Sequence, residues 1–257
     1  MSYIDLQQTL QDWPYEPDKI SVRKILGTDD AVRVQMRVEL GILQMEAEGR
    51  PDGARPFGCV SVLDYHQERL VKHQERNGTA LGFGLTRPEC QALRVEASLY
   101  YRRYIAYFVL EEFENVLRDT QHSLAIFDLC REHSIDPEDR MALEEFRPYV
   151  LMMNARAQAY HAMEEGETAS ALAHVNRGIL DIRAHFDRDG KPEAASSCEE
   201  IKILRALGKE LRGRMPADSV SVARKALRAA IEQERFEEAA RLRDELKNLG
   251  SRKRRPA

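Results

Sequence analysis

An all-α fold follows from three features of the 257-residue sequence. Apolar residues recur at helical spacing through most of the chain after residue 89. The helical stretches there come in pairs separated by short acidic or glycine-containing turns, over 89–133 and again over 139–186. The last segment, 218–250, carries two short amphipathic patterns back to back.

Composition sets the outer limits. Charged residues make up 32% and apolar residues 43%, the balance of a globular chain rather than a disordered one. The apolar runs are far shorter than a membrane span, and MSYIDLQQTLQDW has neither the basic nor the apolar part of an export signal. Cys59, Cys90, Cys130 and Cys198 are scattered and form no CxxC, which suits a reducing cytoplasm and argues against a disulfide framework or zinc knuckle. Net charge is −4, but it is unevenly spread: from Val220 onward 11 basic residues face 6 acidic ones. The tail Arg252-Lys253-Arg254-Arg255 supplies much of that excess.

In chain order, residues 1–27 form a lead-in. Its Trp13-Pro14-Tyr15 is extended, because the residue before proline avoids the helical region. Trp13 is expected to pin this segment onto the first helices. A helix is predicted over 31–48, capped near Asp29-Asp30. Val34, Val38, Gly41 and Met45 fall on one face and Val32, Met36, Leu40 and Leu43 on another, the pattern of a central helix. The turn-rich GRPDGARPFG, 49–58, follows and reads as a connector more readily than a binding loop. A second helix covers 60–75. Cys59, His66 and His73 recur on it every seventh residue, but ligands so spaced lie roughly 10 Å apart along a helix, too far for one ion. The break at 77–88 contains Gly82-Phe83-Gly84 without a phosphate-binding pattern or a nearby lysine.

In 89–133, Tyr100, Tyr101, Tyr104, Tyr107 and Phe108 lie at helical spacing with Arg102 and Arg103 among them. Such interleaving can stack bases; its commoner meaning is a core helix with a polar rim. The helix breaks at Glu111-Glu112 and resumes from Phe113 to Cys130. The second pair is predicted as one helix over 139–164, a turn at Glu164-Glu165-Gly166, and another helix over 167–186. Ala106-Tyr107 aligns with Ala159-Tyr160. Small-then-aromatic in the first helix, an acidic turn and an apolar second helix resemble tetratricopeptide (TPR) repeats, though the spacing of about 53 residues exceeds the usual period of roughly 34. Asp187-Arg188-Asp189-Gly190 begins like a calcium loop but lacks the remaining ligands. A helix over 193–212, with Ile201, Leu204, Leu207 and Leu211 as its stripe, precedes a short linker. The expected divisions are thus 1–88, 89–213, 218–250 and a tail, 251–257.

In the terminal hairpin, Ala223, Leu227, Ala230 and Ile231 share one helix face, and Phe236, Ala239, Ala240, Leu246 and Leu249 share the next. Asp218 or Ser219 can cap the start and Gly250 suits the end. Phe236-Glu237-x-Ala239-Ala240-x-Leu242-Arg243-Asp244-x-Leu246-x-x-Leu249 resembles the UVR (UvrB/UvrC) motif of excision-repair subunits, which also occurs in some Clp-type ATPases and their adaptors. The stretch QMRVELGILQMEAEGRPDG is similar to one in bacterial proteins of planctomycete type and implies no activity.

The UVR resemblance implies protein–protein docking without chemistry in the hairpin itself. Its implied contact residues are Leu227, Ile231, Phe236, Glu237, Ala239, Ala240, Arg243, Asp244, Leu246 and Leu249. A pair of helices this short buries too little apolar area to stand alone, since chains below about 40 residues usually need a partner. The rest of this chain, a second copy of it, or another protein such as a UVR-bearing protein or a Clp-type ATPase would supply it. Small Ala239 and Ala240 let another backbone approach, and the Glu237–Arg241 pair adds about 0.3 kcal/mol.

No GxSxG, HExxH or Walker sequence occurs, no cofactor or metal is implied, and a non-enzymatic role is expected. Asp119 and His122, three apart, would be half of a carboxylate–histidine metal pair whose other half is missing. The alternative to an adaptor is nucleic-acid binding through the basic tail and the Tyr/Arg-rich helix, which added salt would weaken steeply.

Overall fold

The computed structural model describes residues 6–214, 227–231, 235 and 237–243. The chain divides into two compact units, Met1–Leu211 and Arg212–Ala257. The first is mostly helical and carries a small sheet near its N-terminal end.

That sheet replaces the helix expected over 31–48. Strand β1, Val22–Leu26, pairs antiparallel with β2, Val32–Val38, and β2 with β3, Gly41–Glu46, in the order β1-β2-β3. In β2, Val32, Val34, Met36 and Val38 alternate with Arg33, Gln35 and Arg37, the period-2 pattern of a half-buried strand. Wound onto a helix, that same alternation produces two apolar faces. Val34 pairs with Met45 in the register, and both are buried in the larger core. Trp13 packs against this sheet instead of a helix: the Arg23 guanidinium lies 4.2 Å from its ring centre, and Arg37 Nε donates to its carbonyl at 2.8 Å.

Helix α1 is the short Gln7–Gln11, and α2 runs Val62–Asn77. Ser61 Oγ accepts from Asp64 N at the start of α2, and Gly78 ends it at φ +71°, a conformation glycine adopts without strain. Two long helices follow, α3 at Arg87–Val109 and α4 at Phe113–His133. The expected break at Glu111-Glu112 lies between them, with Glu111 at φ +59°.

The helix expected over 139–164 is divided. Its parts are α5, Pro137–Met141, a single 3₁₀ turn at Glu144–Phe146, and α6, Arg147–Glu164. Pro148 falls in the first turn of α6, where a missing N–H costs nothing. Gly166, at φ +78°, turns the chain into α7, Thr168–Arg188. The helix expected over 193–212 is likewise interrupted. Cys198 is extended between α8, Ala194–Ser197, and α9, Glu199–Arg214. Ser196 and Ser197 turn their hydroxyls onto the carbonyls of Glu193 and Ala194, a local bond that competes with helix propagation.

α3 packs on α4, α4 on α6 and α6 on α7. The aligned alanines Ala106 and Ala159 are both fully buried. At Gly178, α7 lies so close to its neighbours that an added Cβ would sit 2.4 Å from the Ala155 Cβ and 3.2 Å from Leu204 Cδ1. A second apolar cluster, including Leu85, Leu93, Ile126 and Phe127, joins α2, α3 and α4.

Candidate functional site

In the second unit, residues 227–231 and 237–243 are helical. Arg235 N donates to the Ala230 carbonyl at 2.8 Å, and Ala239 N to the Arg235 carbonyl at 3.0 Å. The Arg235 guanidinium meets Glu238 at 2.6 Å. Burial separates the paired alanines. Ala239 is 8% exposed and Ala230 fully buried, whereas Ala240 faces solvent. Glu237 and Arg243 are exposed, Leu227 is half-buried, and Ile231 is 54% exposed. The face of the 237–243 helix bearing Ala240 therefore offers a small residue at the surface beside charged ones. Phe236, Asp244, Leu246 and Leu249, with the caps and basic tail, lie outside the described residues.

Residues 219–252 match UVR, the UvrB/uvrC motif. This motif mediates protein interactions in excision-repair proteins. No curated protein and no solved structure matches the chain. Among the described residues no helix is long and apolar enough to cross a membrane.

The candidate residues of the first unit are tied into its framework. Arg103 and Asp119 form a buried two-pronged pair, Nε to Oδ2 at 2.7 Å and Nη2 to Oδ1 at 2.8 Å. Arg103 Nη1 also donates to the carbonyls of Glu46 and Gly49. The Tyr107 hydroxyl and Arg118 Nη2 both donate to the Ala47 carbonyl. Donors on α3 and α4 thus hold the chain where it leaves β3 and enters GRPDG. That loop is a joint between sheet and helices, and the interleaved Tyr/Arg pattern serves it. Tyr100, Tyr104, Tyr107 and Arg103 are all buried, leaving Tyr101 and Arg102 at the surface. A base-stacking face would need the buried members exposed.

Asp119 and His122 do not act as a metal pair. Asp119 is spent on Arg103 and Arg118. His122 Nε2 bonds Glu96 at 3.0 Å, and its ring stacks on Tyr100 at 3.7 Å. Glu96 also accepts from the backbone N–H groups of Val62 and Leu63, so it caps α2 from another helix. Burial alone would raise the Glu96 carboxyl. His122 and those two N–H groups outweigh burial and hold it below the ordinary carboxylate range. His66 is buried beside Arg69, and His73 bonds the Leu81 carbonyl, so the seven-residue series gathers no ligands.

Sequence reasoning missed Glu144, which lies with His185 and Asp189 in a cluster of metal-ligand type, their ligand atoms within 4.8 Å of one another. The donors are already committed. Glu144 accepts from Arg131, Arg147 and Arg188 at 2.7–3.0 Å, and Asp189 from Arg131 at 2.7 Å. Burial would raise the Glu144 carboxyl, but His185 and the guanidiniums pull it well below its usual range. Three guanidiniums already supply the positive charge a cation would bring, so the cluster fits an ion-pair network rather than a metal.

A groove of about 770 Å³ between the sheet and the start of α4 is lined by several charged residues, most of them paired. Arg33 binds Asp29 and Glu46, and Lys24 binds Glu112.

Proposed function

We propose that this chain is a non-catalytic cytoplasmic adaptor that docks a protein partner through its C-terminal UVR hairpin. The observation carrying this reading is the UVR match over 219–252, with exposed Ala240 on the hairpin. An exposed alanine on a helix lets a partner backbone approach closely. Charged Glu237 and Arg243 fix register at the rim, where pairs give specificity more than affinity. Phe236, Leu246 and Leu249 supply the apolar anchors, Leu227 and Ile231 extend the contact, and Asp244 completes the charged rim. The TPR-like body is the scaffold that carries the hairpin. The partner is a UVR-bearing excision-repair subunit, which would make the chain an accessory to repair, or a Clp-type ATPase.

The full chain is tested by co-purification against each of these two partner types, beside Phe236→Asp. The expected result is capture of one of them by the intact chain and loss of that capture in the variant. Capture of neither, or equal capture by both chains, contradicts the proposal.

A further inference from the structure

A cavity of about 650 Å³ lies in the first unit among α3, α4, α6 and the start of α9. Its wall is largely aromatic and aliphatic: Tyr101, Tyr104, Phe127, Phe146, Tyr149 and Val150. The volume lies within the roughly 300–1,000 Å³ of small-molecule pockets, and protein interiors ordinarily leave few voids larger than a water. The aromatic rings brace one another. Tyr101 meets Tyr104 edge-on at 5.5 Å between centroids and Tyr149 at 6.1 Å.

Several polar groups of this wall are committed, and the Tyr104 hydroxyl is an informative exception. Ser98 bonds the Val95 carbonyl, Ser123 the Asp119 carbonyl, and Arg94 is held by Asp139 and Gln91. Tyr104 is 1% exposed, and its hydroxyl bonds no described residue. The hydroxyl is not sealed off, so water or a ligand group in the cavity can reach it. Burial, with Tyr149 and Tyr101 nearby, pushes the Tyr104 phenol far above its ordinary value, so it stays protonated and offers one donor and two lone pairs. Glu145, exposed and unpaired among the described residues, and Glu200 also line the cavity. With Arg94 neutralised by Asp139, the wall repels anions.

We propose that this cavity is a binding site for a small, mostly apolar organic molecule that presents a neutral or amine hydrogen-bonding group to the Tyr104 hydroxyl and carries no negative charge. The molecule's body lies against Phe127, Tyr149 and Val150, and Tyr101 and Phe146, about half exposed at 47% and 52%, close over it. Nothing in this site depends on the hairpin, so it and the adaptor reading stand or fall separately.

The probe is N-phenyl-1-naphthylamine, a neutral aromatic amine whose fluorescence rises in apolar surroundings, titrated into the full chain. Saturable binding of one molecule per chain is expected. Tyr104→Phe, which removes the hydroxyl alone, should weaken binding about two- to tenfold, the worth of one hydrogen bond. Ser98→Trp places a bulky ring at an exposed position on the wall and should weaken it more than tenfold while circular dichroism and melting temperature stay unchanged. The anionic analogue 8-anilinonaphthalene-1-sulfonate should bind at least tenfold more weakly than the neutral probe. Non-saturable binding, unchanged affinity in either variant, or equal binding of the sulfonate would each overturn the proposal.

Discussion

Asp119→Ala tests the joint between sheet and helices. The substitution strips Arg103 of its two-pronged partner while the guanidinium stays enclosed, its side chain 1% exposed. The bonds from Arg103 to the carbonyls of Glu46 and Gly49 remain, but neither carbonyl carries the charge needed to balance it. Removing one member of a buried ion pair costs about 3–5 kcal/mol, because the other is left buried and uncompensated. Arg118 loses the same carboxylate, but at 35% exposure it recovers water and adds little. For a unit of this size, about 2–4 °C of melting temperature per kcal/mol gives a fall of roughly 6–20 °C. Urea unfolding of the full chain, followed by far-UV circular dichroism, reads the free energy directly. The double variant Arg103→Leu/Asp119→Leu is the control. It removes both charges and should be less destabilised than Asp119→Ala. A loss below about 1 kcal/mol for Asp119→Ala, or a double variant worse than the single one, refutes the reasoning.

Gly178→Ala drives a methyl group to within 2.4 Å of the Ala155 Cβ and should cost about 1–3 kcal/mol by overpacking, read as a lower urea midpoint; an unchanged midpoint contradicts the tight α6–α7–α9 contact. Glu96 and Glu144 are both held below their ordinary values near 4.5, so the stability they confer is complete above that pH and is lost as pH falls through their depressed values. Urea midpoints should therefore drop between pH 5 and pH 3, and a flat profile there contradicts the depressed carboxyls. Zinc or manganese should leave the melting temperature unchanged, since Glu144 and Asp189 already bind guanidiniums; a rise of several degrees that a chelator reverses would show that the cluster takes a cation.

The helical hairpins were legible because their punctuation is local. Glu111-Glu112 and Glu164-Glu165-Gly166 interrupt the apolar stripe where the chain turns. The sheet was hidden because β2 and β3 are joined by only Glu39 and Leu40, so two alternating runs merge into one stretch as long as a helix. Proline and serine broke two of the later helices, through effects that periodicity does not register. Buried charge was the least legible feature. Arg103 reads from sequence as the polar rim of a tyrosine-rich helix, because its partner Asp119 is sixteen residues away on another helix. The Glu144 cluster gathers residues from separate elements, and no spacing rule announces it. For the hairpin the reverse holds: residue identities at fixed spacing marked the motif, whereas the opposite burial of Ala239 and Ala240 needed coordinates.

The most direct test of docking is the affinity of the full chain for the partner captured through the hairpin, compared with that of Ala240→Arg. Ala240 is exposed, so arginine there leaves the hairpin's own packing intact, which circular dichroism checks. Its long side chain instead blocks close approach of a partner helix. The account predicts at least tenfold weaker binding in the variant, with little change in the intact chain's affinity between low and high salt. Equal affinity of the two chains would contradict it.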